Sequence, residues 1–269
     1  MIKKEVEKIL QYVQKPARYV GGELNSVVTN PDEVALRYAF CFPDTYEIGM
    51  SHLGMKILYG LVNARDDAWC ERVFAPDTDM EELMRKNNIP LFALESGDYI
   101  KDFDIIGFTL QYELSYTNVL NMLDLAGIKL FSKDRTELTP IICCGGPCAC
   151  NPEPIADFFD IVFLGDGEET TEQVLDLLKY CKENGLSKHD FLLKAKDIRG
   201  IYVPSFYEPS YNDDGTLREL KPINGAPEKI KKAVVADMDT CYYPDKFVVP
   251  FINIVHDRAV EEIFRGCIR

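Results

Sequence analysis

The succession of apolar and polar stretches along the chain predicts strands and helices that alternate regularly. Apolar runs of strand length occur at 34–42, 70–74, 90–94, 104–110, 140–146 and 160–167. Between two of these runs, the apolar residues Leu53, Ile57, Leu58 and Leu61 repeat with helical spacing. Strands that alternate with helices in this way are typical of parallel βαβ units, so we predict a doubly wound α/β fold with a mostly parallel, flavodoxin- or Rossmann-like sheet.

Individual elements follow from the same pattern. The run 104–110, DIIGFTL, is apolar on both faces, which predicts a central parallel strand that is covered on both sides. Helices are predicted at 78–87, 115–126, 152–159 and 168–185. The helix that contains Leu53 should begin after Ser51 as its N-cap, and Gly127 should end the helix at 115–126.

The pattern changes after residue 200. Asp214 and Gly215 stand between two extended runs, which predicts a β-hairpin, and the proline-punctuated stretch 222–252 predicts a linker. We therefore divide the chain into a lead-in, an α/β domain, a hairpin with linker and a last segment. Their predicted bounds are 1–33, 34–200, 201–252 and 253–269.

Ligands of open α/β sheets bind beyond the carboxyl ends of the strands, near the point where the strand order reverses. The loops predicted to lie there are 43–54, 111–115, 145–152 and 165–169, and two of them carry paired glycines. Such glycines let the backbone approach a ligand closely, although tight strand-to-helix turns need glycine as well. Neither GxxxxGK[ST] nor GxGxxG occurs, which disfavours the two common nucleotide-binding motifs.

Charge narrows the range of partners. The chain has 30 basic and 44 acidic residues, a net charge of −14 and a pI of about 4.7, so nucleic-acid binding through a basic face is not expected. No apolar run approaches the roughly 18 residues of a membrane helix, and the start MIKKEVEKIL lacks the apolar core of a signal peptide. We expect a cytoplasmic protein with no membrane partner, and nothing in the sequence indicates an oligomeric state.

Nine cysteines, an odd number, argue against a disulfide framework. Four of them form the cluster CCGGPCAC: Cys143, Cys144, Cys148 and Cys150. Four thiolates can bind zinc or an iron–sulfur cluster, but adjacent residues of a strand, such as Cys143 and Cys144, point to opposite faces. A metal site and a mixture of core and loop thiols are the two alternatives. Among the three histidines, His52 is placed best to face the ligand region, and His189 is expected at the surface.

Three segments carry a resemblance to a known family. AVEEIFRGCIR (259–269) resembles the opening of a radical SAM domain, where a first barrel strand leads into a CxxxCxxC loop. FPDTYEIGMSHLGMKILYGLVN (42–63) resembles the first loop and helix of the cobalamin-binding-like domains that precede many radical SAM cores. The stretch 141–169 resembles their GG…PE…FFD…GEGE pattern. The chain thus looks like the N-terminal, cobalamin-binding-like domain of a radical SAM protein.

The resemblance implies cofactors and site residues. In the family, three cysteines ligate a [4Fe–4S] cluster, and S-adenosylmethionine (SAM) takes its fourth iron. Cys267 matches the first cysteine, and the other two are absent, so we expect this chain to be inactive by itself and the cluster and SAM to belong to an intact parent protein. The implied cobalamin contacts are Gly49, Ser51, Gly145, Gly146, Pro147, Gly165, Gly167 and Glu168.

One departure concerns the DxHxxG motif, whose histidine ligates cobalt in mutase-type cobalamin domains. No aspartate stands two residues before His52, and Gly54 comes one residue early. Cobalamin is therefore expected to bind here without a histidine ligand.

The implied role is to hold cobalamin, or to shape the active site, for the downstream radical SAM domain of the same protein, which is the expected partner. A first alternative is a cofactor-free module that recognises a partner or substrate; a bulky side chain such as Tyr112 or Tyr46 in the crevice would favour it. A second is a metal-binding module that uses the thiols of 143–150.

Overall fold

A six-stranded sheet organises the computed structural model, which describes residues 3–258 and 260–266. Its strands are β1 (Leu36–Phe42), β2 (Ala68–Phe74), β3 (Ile105–Thr109), β4 (Ile141–Gly145), β5 (Ile161–Phe163) and β6 (Ile201–Tyr202). The helices are α1 (Lys4–Leu10), α2 (Tyr46–Gly49), α3 (Leu53–Asn63), α4 (Thr78–Asn87), α5 (Tyr116–Leu125), α6 (Glu168–Glu183) and α7 (Lys188–Ala195). Within the described residues, no helix combines the length and the apolar character needed to cross a bilayer.

The strand order is β2-β1-β3-β4-β5-β6. Strands β1 to β5 pair in parallel, and β6 joins β5 antiparallel. This confirms the predicted doubly wound, mostly parallel α/β fold, with β3 as an interior strand. The chain moves outward from β1 to β2 and then returns to place β3 on the other side of β1. The switch point therefore lies between β1 and β3, which is where ligands of this topology bind.

Alternation along the strands divides the apolar side chains between two cores. Ala39, Cys41 and Ile106 face a core that α1, α4 and α5 cover, whereas Tyr38 and Phe40 face a core that α3, α6 and α7 cover. Successive strand residues point to opposite faces, so a continuous apolar run such as β3 supplies both cores at once.

Two predictions of local structure within the α/β domain are wrong. The apolar run 90–94 is a buried loop, because its backbone hydrogen bonds go to different segments and form no ladder with one neighbouring strand. Leu94 N–H donates to the Arg72 carbonyl, and Phe92 forms only an isolated bridge with Tyr99. Helix α3 is capped by His52, whose Nδ1 accepts from Met55 N–H at 3.1 Å. Ser51 is not the cap, because the short helix α2 precedes it and its hydroxyl donates to the Glu47 carbonyl at 2.7 Å.

The region after the sheet forms the predicted hairpin and then returns to the main domain. Strands β7 (Tyr207–Tyr211) and β8 (Leu217–Pro222) pair antiparallel around the Asp214-Gly215 turn, which confirms the hairpin. The segment that follows forms a bridge from Ala233 to Gly165 beside β5. The described residues from 253 onward contain no helix or strand, so the barrel strand expected there does not form within them. Cys267 lies outside the described residues.

Candidate functional site

A cavity of about 370 Å³ lies at the carboxyl ends of the central strands, between the sheet and helices α3 and α6. Its floor is made of small residues from two neighbouring interior strands: Gly107 and Thr109 on β3, Cys143 and Gly145 on β4. Its walls are aromatic and aliphatic: Tyr38, Phe40, Leu58 and Phe163. Small floor residues between large walls leave a recess at the switch point of the sheet.

The strand period explains why the floor is recessed. Gly107 and Thr109 lie two residues apart and therefore share one face of β3, as Cys143 and Gly145 do on β4. A Cβ atom at Gly107 would lie 2.1 Å from the Tyr38 hydroxyl, so this position has no room for a side chain unless Tyr38 moves. The recess thus depends on small residues that share the helix-covered face with Tyr38.

Glycines at the mouth of the cavity are required by the backbone itself. Gly146 has φ +102°, and a Cβ there would lie 2.7 Å from the Leu110 carbonyl oxygen. Gly165 has φ +104°, and its Cβ would lie 2.0 Å from the Ala233 carbonyl oxygen. Residues that carry a Cβ atom rarely adopt these backbone conformations. Close packing against neighbouring backbone therefore explains why these two positions are glycine, without any bound ligand.

Most of the residues singled out in the sequence come together at this cavity. It is lined by Gly145, Gly146, Pro147, Gly165, Gly167 and Glu168. Gly49 and Ser51 do not line it: Gly49 packs against Phe74 beside a second cavity on another face of α3, and Ser51 Oγ accepts from His256 N–H at 3.0 Å.

His52 lines the cavity, as expected of the histidine nearest the ligand region. Its Nδ1 caps α3, and its side chain also forms a hydrogen bond with Gln111. Burial lowers the pKa of His52, which favours the neutral imidazole at pH 7. The Nδ1 atom of the ring is therefore engaged by the protein backbone. His189, which was expected at the surface, is exposed.

The cysteine cluster is divided between the two faces of the sheet, as predicted. Cys143 belongs to the core under α3 and α6, and Cys144 belongs to the opposite core. Burial raises the pKa of both thiols, which keeps them protonated. Cys148 is half-buried and Cys150 is exposed. In the part of the chain that the structure describes, no group of three or more such side chains is arranged to hold a metal ion.

The acidic rim of the cavity contains a residue that sequence reasoning missed. Asp166 and Glu168 stand at the start of α6, and the last described segment returns to place Glu262 and Arg265 beside them. The Arg265 guanidinium binds all three carboxylates. No local pattern predicts this contact, because Arg265 and Glu168 are 97 residues apart; the acids of GDGEE were its only signal.

Together these features define a site with an apolar, flat-walled interior and a charged rim. The interior suits a planar, largely apolar group, because most of its lining is aromatic, aliphatic or glycine, and the Thr109 hydroxyl already accepts from Gln111. Three carboxylates and one guanidinium leave the rim with an excess of negative charge. The fold and this crevice define the class of protein: a doubly wound α/β domain that carries a ligand crevice at its switch point.

Comparison with known proteins places the domain in a family. The family of radical SAM proteins, N-terminal, matches residues 54–204, and the chain belongs to it. An uncharacterized protein of Methanocaldococcus jannaschii is 27% identical over 223 residues, which cover 78% of this chain and 42% of that protein. The chain thus spans less than half the length of this relative. No solved structure matches the chain.

Proposed function

We propose that this domain binds cobalamin in the switch-point crevice and presents it to the downstream radical SAM domain of a longer protein. In that protein, Cys267 would be the first of three cysteine ligands of a [4Fe–4S] cluster, which would bind SAM. The observation that carries the proposal is the recess whose floor is Gly107, Thr109, Cys143 and Gly145, at the site where this topology binds its ligands.

The size and chemistry of the cavity fit one part of the cofactor. Cobalamin consists of a large corrin ring and a nucleotide tail that ends in a flat aromatic base. A cavity of about 370 Å³ admits the flat aromatic base but not the larger corrin ring, which would lie at the mouth of the cavity. Tyr38, Phe40 and Phe163 would hold the flat group, and the loops at Gly146 and Gly165 would face the remainder. Bound cobalamin would supply a cobalt centre that transfers alkyl groups or single electrons.

The hydrogen bonds of His52 support binding without a histidine ligand. Nδ1 is committed to the cap of α3, and the side chain is also bound to Gln111. An imidazole that is engaged in this way has no lone pair directed at a metal. Its role in the proposed site is to close one side of the crevice and to fix the start of α3.

The alternative is a cofactor-free module that recognises a partner or substrate. Neither of the bulky side chains that would favour it lines the cavity. The Tyr46 hydroxyl donates to Glu23 at 2.9 Å in the core, and Tyr112 binds Asp44. Exposed apolar side chains on the last segment, such as Ile263 and Phe264, do offer contact surface, and we assign them to the downstream domain of the same protein.

The test is a titration of the purified chain with hydroxocobalamin, followed by visible spectroscopy and calorimetry. We expect saturable binding on the order of micromolar, about 8 kcal/mol. Gly167→Leu should weaken it by about tenfold to a hundredfold, because the new side chain projects toward Leu58 inside the cavity. Gly167 has a negative φ of −92°, so the substitution does not strain the backbone.

The matched control is Glu169→Leu, which places the same side chain two residues away at an exposed position of α6. Its affinity should remain that of the unmodified chain. The proposal would be refuted if the cofactor bound in neither its oxidised nor its reduced state. It would also be refuted if the two leucine substitutions weakened binding equally, and either result would favour the recognition module.

A further inference from the structure

The crevice is bordered by a charged contact between two distant parts of the chain. Arg265 Nη1 lies 3.1 Å from Glu168 Oε2, and Nη2 binds the other oxygen of the same carboxylate. Glu262 accepts from Nε at 2.9 Å and from Nη2 at 2.8 Å, and Asp166 Oδ1 lies 3.5 Å from Nη1. We call this arrangement of Arg265 with its three carboxylates the rim clamp.

The rim clamp differs from an ordinary surface ion pair in geometry and exposure. Glu168 binds the guanidinium in the two-pronged manner that fixes direction as well as distance. Its side chain is 8% exposed, while that of Arg265 is 23% exposed. Asp166 is held from behind, because its other oxygen accepts from Val235 N–H at 2.7 Å. Asp166 is thus held in place independently of the guanidinium.

The other contacts that hold the last described segment involve residues that precede the rim clamp, from Ile254 to Val260. No described residue after 252 belongs to a helix or strand. The segment is held to the rest of the chain by the hydrogen bond from the Tyr243 hydroxyl to the Val260 carbonyl, by that from His256 N–H to Ser51, by the packing of Ile254 against the core under α3, α6 and α7, and by the rim clamp. Ile263 and Phe264, next to Arg265, are 83% and 67% exposed and do not anchor it.

We propose that Glu168 is a positioning residue: it seats Arg265 on the crevice and so sets where the chain leaves this domain, two residues before Cys267. The rim clamp then joins the proposed ligand crevice physically to the segment that leads into the cluster motif. Occupancy of the crevice should therefore affect the position of that segment, and the position of the segment should affect binding in the crevice to the same extent. The proposal rests on the proposed function in one respect, that Cys267 is a cluster ligand.

Limited proteolysis with trypsin tests the rim clamp in the chain alone. Trypsin must take the guanidinium of Arg265 into its own specificity pocket, so cleavage after Arg265 requires release from Glu168. In Glu168→Gln, we expect the initial rate of cleavage after Arg265 to rise by about tenfold, because a two-pronged charged contact is lost. Cleavage after Arg258, which is exposed on the same segment, serves as the internal reference and should not change.

The matched control is Glu169→Gln, which removes the same charge from the neighbouring exposed position and should leave the Arg265 rate unchanged. Glu168→Asp keeps the carboxylate and should accelerate cleavage less than Glu168→Gln does. Arg265→Lys keeps a trypsin site but loses the two-pronged contact, so adding Glu168→Gln to it should have much less effect than in the unmodified chain. Emission of the single tryptophan, Trp69, checks that each variant is folded.

Equal cleavage rates in the unmodified chain, Glu168→Gln and Glu169→Gln would overturn the proposal, because Arg265 would then be free already. If Glu168→Gln alters the Trp69 emission, the comparison of Glu168→Asp with the unmodified chain decides in its place. The assay contains no cofactor, so its failure is distinct from a failure of the hydroxocobalamin titration.

Discussion

Two regions on the same face of the sheet, one at the edge strand β2 and one at the interior strands β3 and β4, use the space beside them differently. On β2, Arg72 is 2% exposed and lies between Glu23 and Glu95, which are 1% and 0% exposed. On β3 and β4, Gly107 and Gly145 carry no side chains and line a cavity together with Tyr38. The first region, which we call the filled side, holds one guanidinium that binds two buried carboxyl groups, whereas the second, the open side, keeps a cavity.

The filled side shows how buried charge is tolerated. Arg72 donates to Glu95 at 2.6 Å and to Glu23 at 2.8 and 3.1 Å, and the Arg72 backbone N–H also donates to Glu95 at 2.7 Å. Burial alone would raise the pKa of Glu23, but the hydrogen bonds and charge of Arg72 outweigh it, and the net pKa is lowered. Removing one member of this buried network should therefore lower the stability of the fold strongly. Side chains around the cavity can be replaced with a smaller loss of stability, which leaves that region free to serve as a ligand site.

The largest expected effect is therefore on the filled side. Arg72→Met leaves two buried carboxylates without their cation and should lower the free energy of unfolding by about 3–5 kcal/mol. Urea unfolding followed by Trp69 emission measures it. Arg85→Met is the control: Arg85 is exposed and pairs with Glu81 and Asp124, so its loss should be at most about 1 kcal/mol. Similar losses in the two variants would contradict this account of the β2 side.

An intermediate effect is expected where the crevice meets the returning segment. Gly165→Ala and Gly127→Ala both place a Cβ at positive φ, which costs about 1–2 kcal/mol. At Gly127 the new atom meets nothing within 4 Å, but at Gly165 it meets the Ala233 carbonyl oxygen at 2.0 Å. Gly165→Ala should thus be less stable than Gly127→Ala by about another 1–3 kcal/mol in the same urea assay. Equal losses would show that the segment around Ala233 does not pack there as described.

The smallest effect concerns pH and the crevice histidine. Burial lowers the folded-state pKa of His52, so the unfolded chain takes up the proton more readily. The contribution of neutral His52 to the free energy of unfolding is fully present above its ordinary pKa of 6.5. This contribution is lost as the pH falls from 6.5 toward the folded-state pKa. His52→Asn keeps a capping side chain but does not titrate. Unfolding free energies at about pH 7.5 and about pH 5.5 should differ less in the variant. The same pH dependence in both proteins would exclude His52 as its source.

Much of the fold could be predicted from the chain because the relevant signals are local. The helix at Thr78–Asn87 begins and ends where the pattern placed it, and Gly127 follows α5 with φ +71° as a helix-ending glycine. The run 90–94 was misread because a buried loop and a buried strand are equally apolar. What separates them is where the backbone hydrogen bonds go, and Leu94 bonds to Arg72 from a distant part of the chain.

The candidate site was predictable in its loops and not in its interior. Six of the implied contact residues lie on the two glycine loops that line the cavity. The small residues Gly107 and Thr109 follow the strand period in DIIGFTL, as Cys143 and Gly145 do in the next strand. That spacing was a signal for a recess. Gly49 and Ser51 were misplaced because helix α2 turns the chain before α3 begins.

By itself, the sequence determined the alternation of strands and helices, the hairpin and the glycine loops, because each depends on residues that are close together along the chain. Only the tertiary structure decided that Arg72 is paired from two sides, that a cavity remains over β3 and β4, and that Arg265 reaches Glu168. These features join residues up to 97 positions apart. Their energies come from burial and charge pairing, which no local pattern encodes.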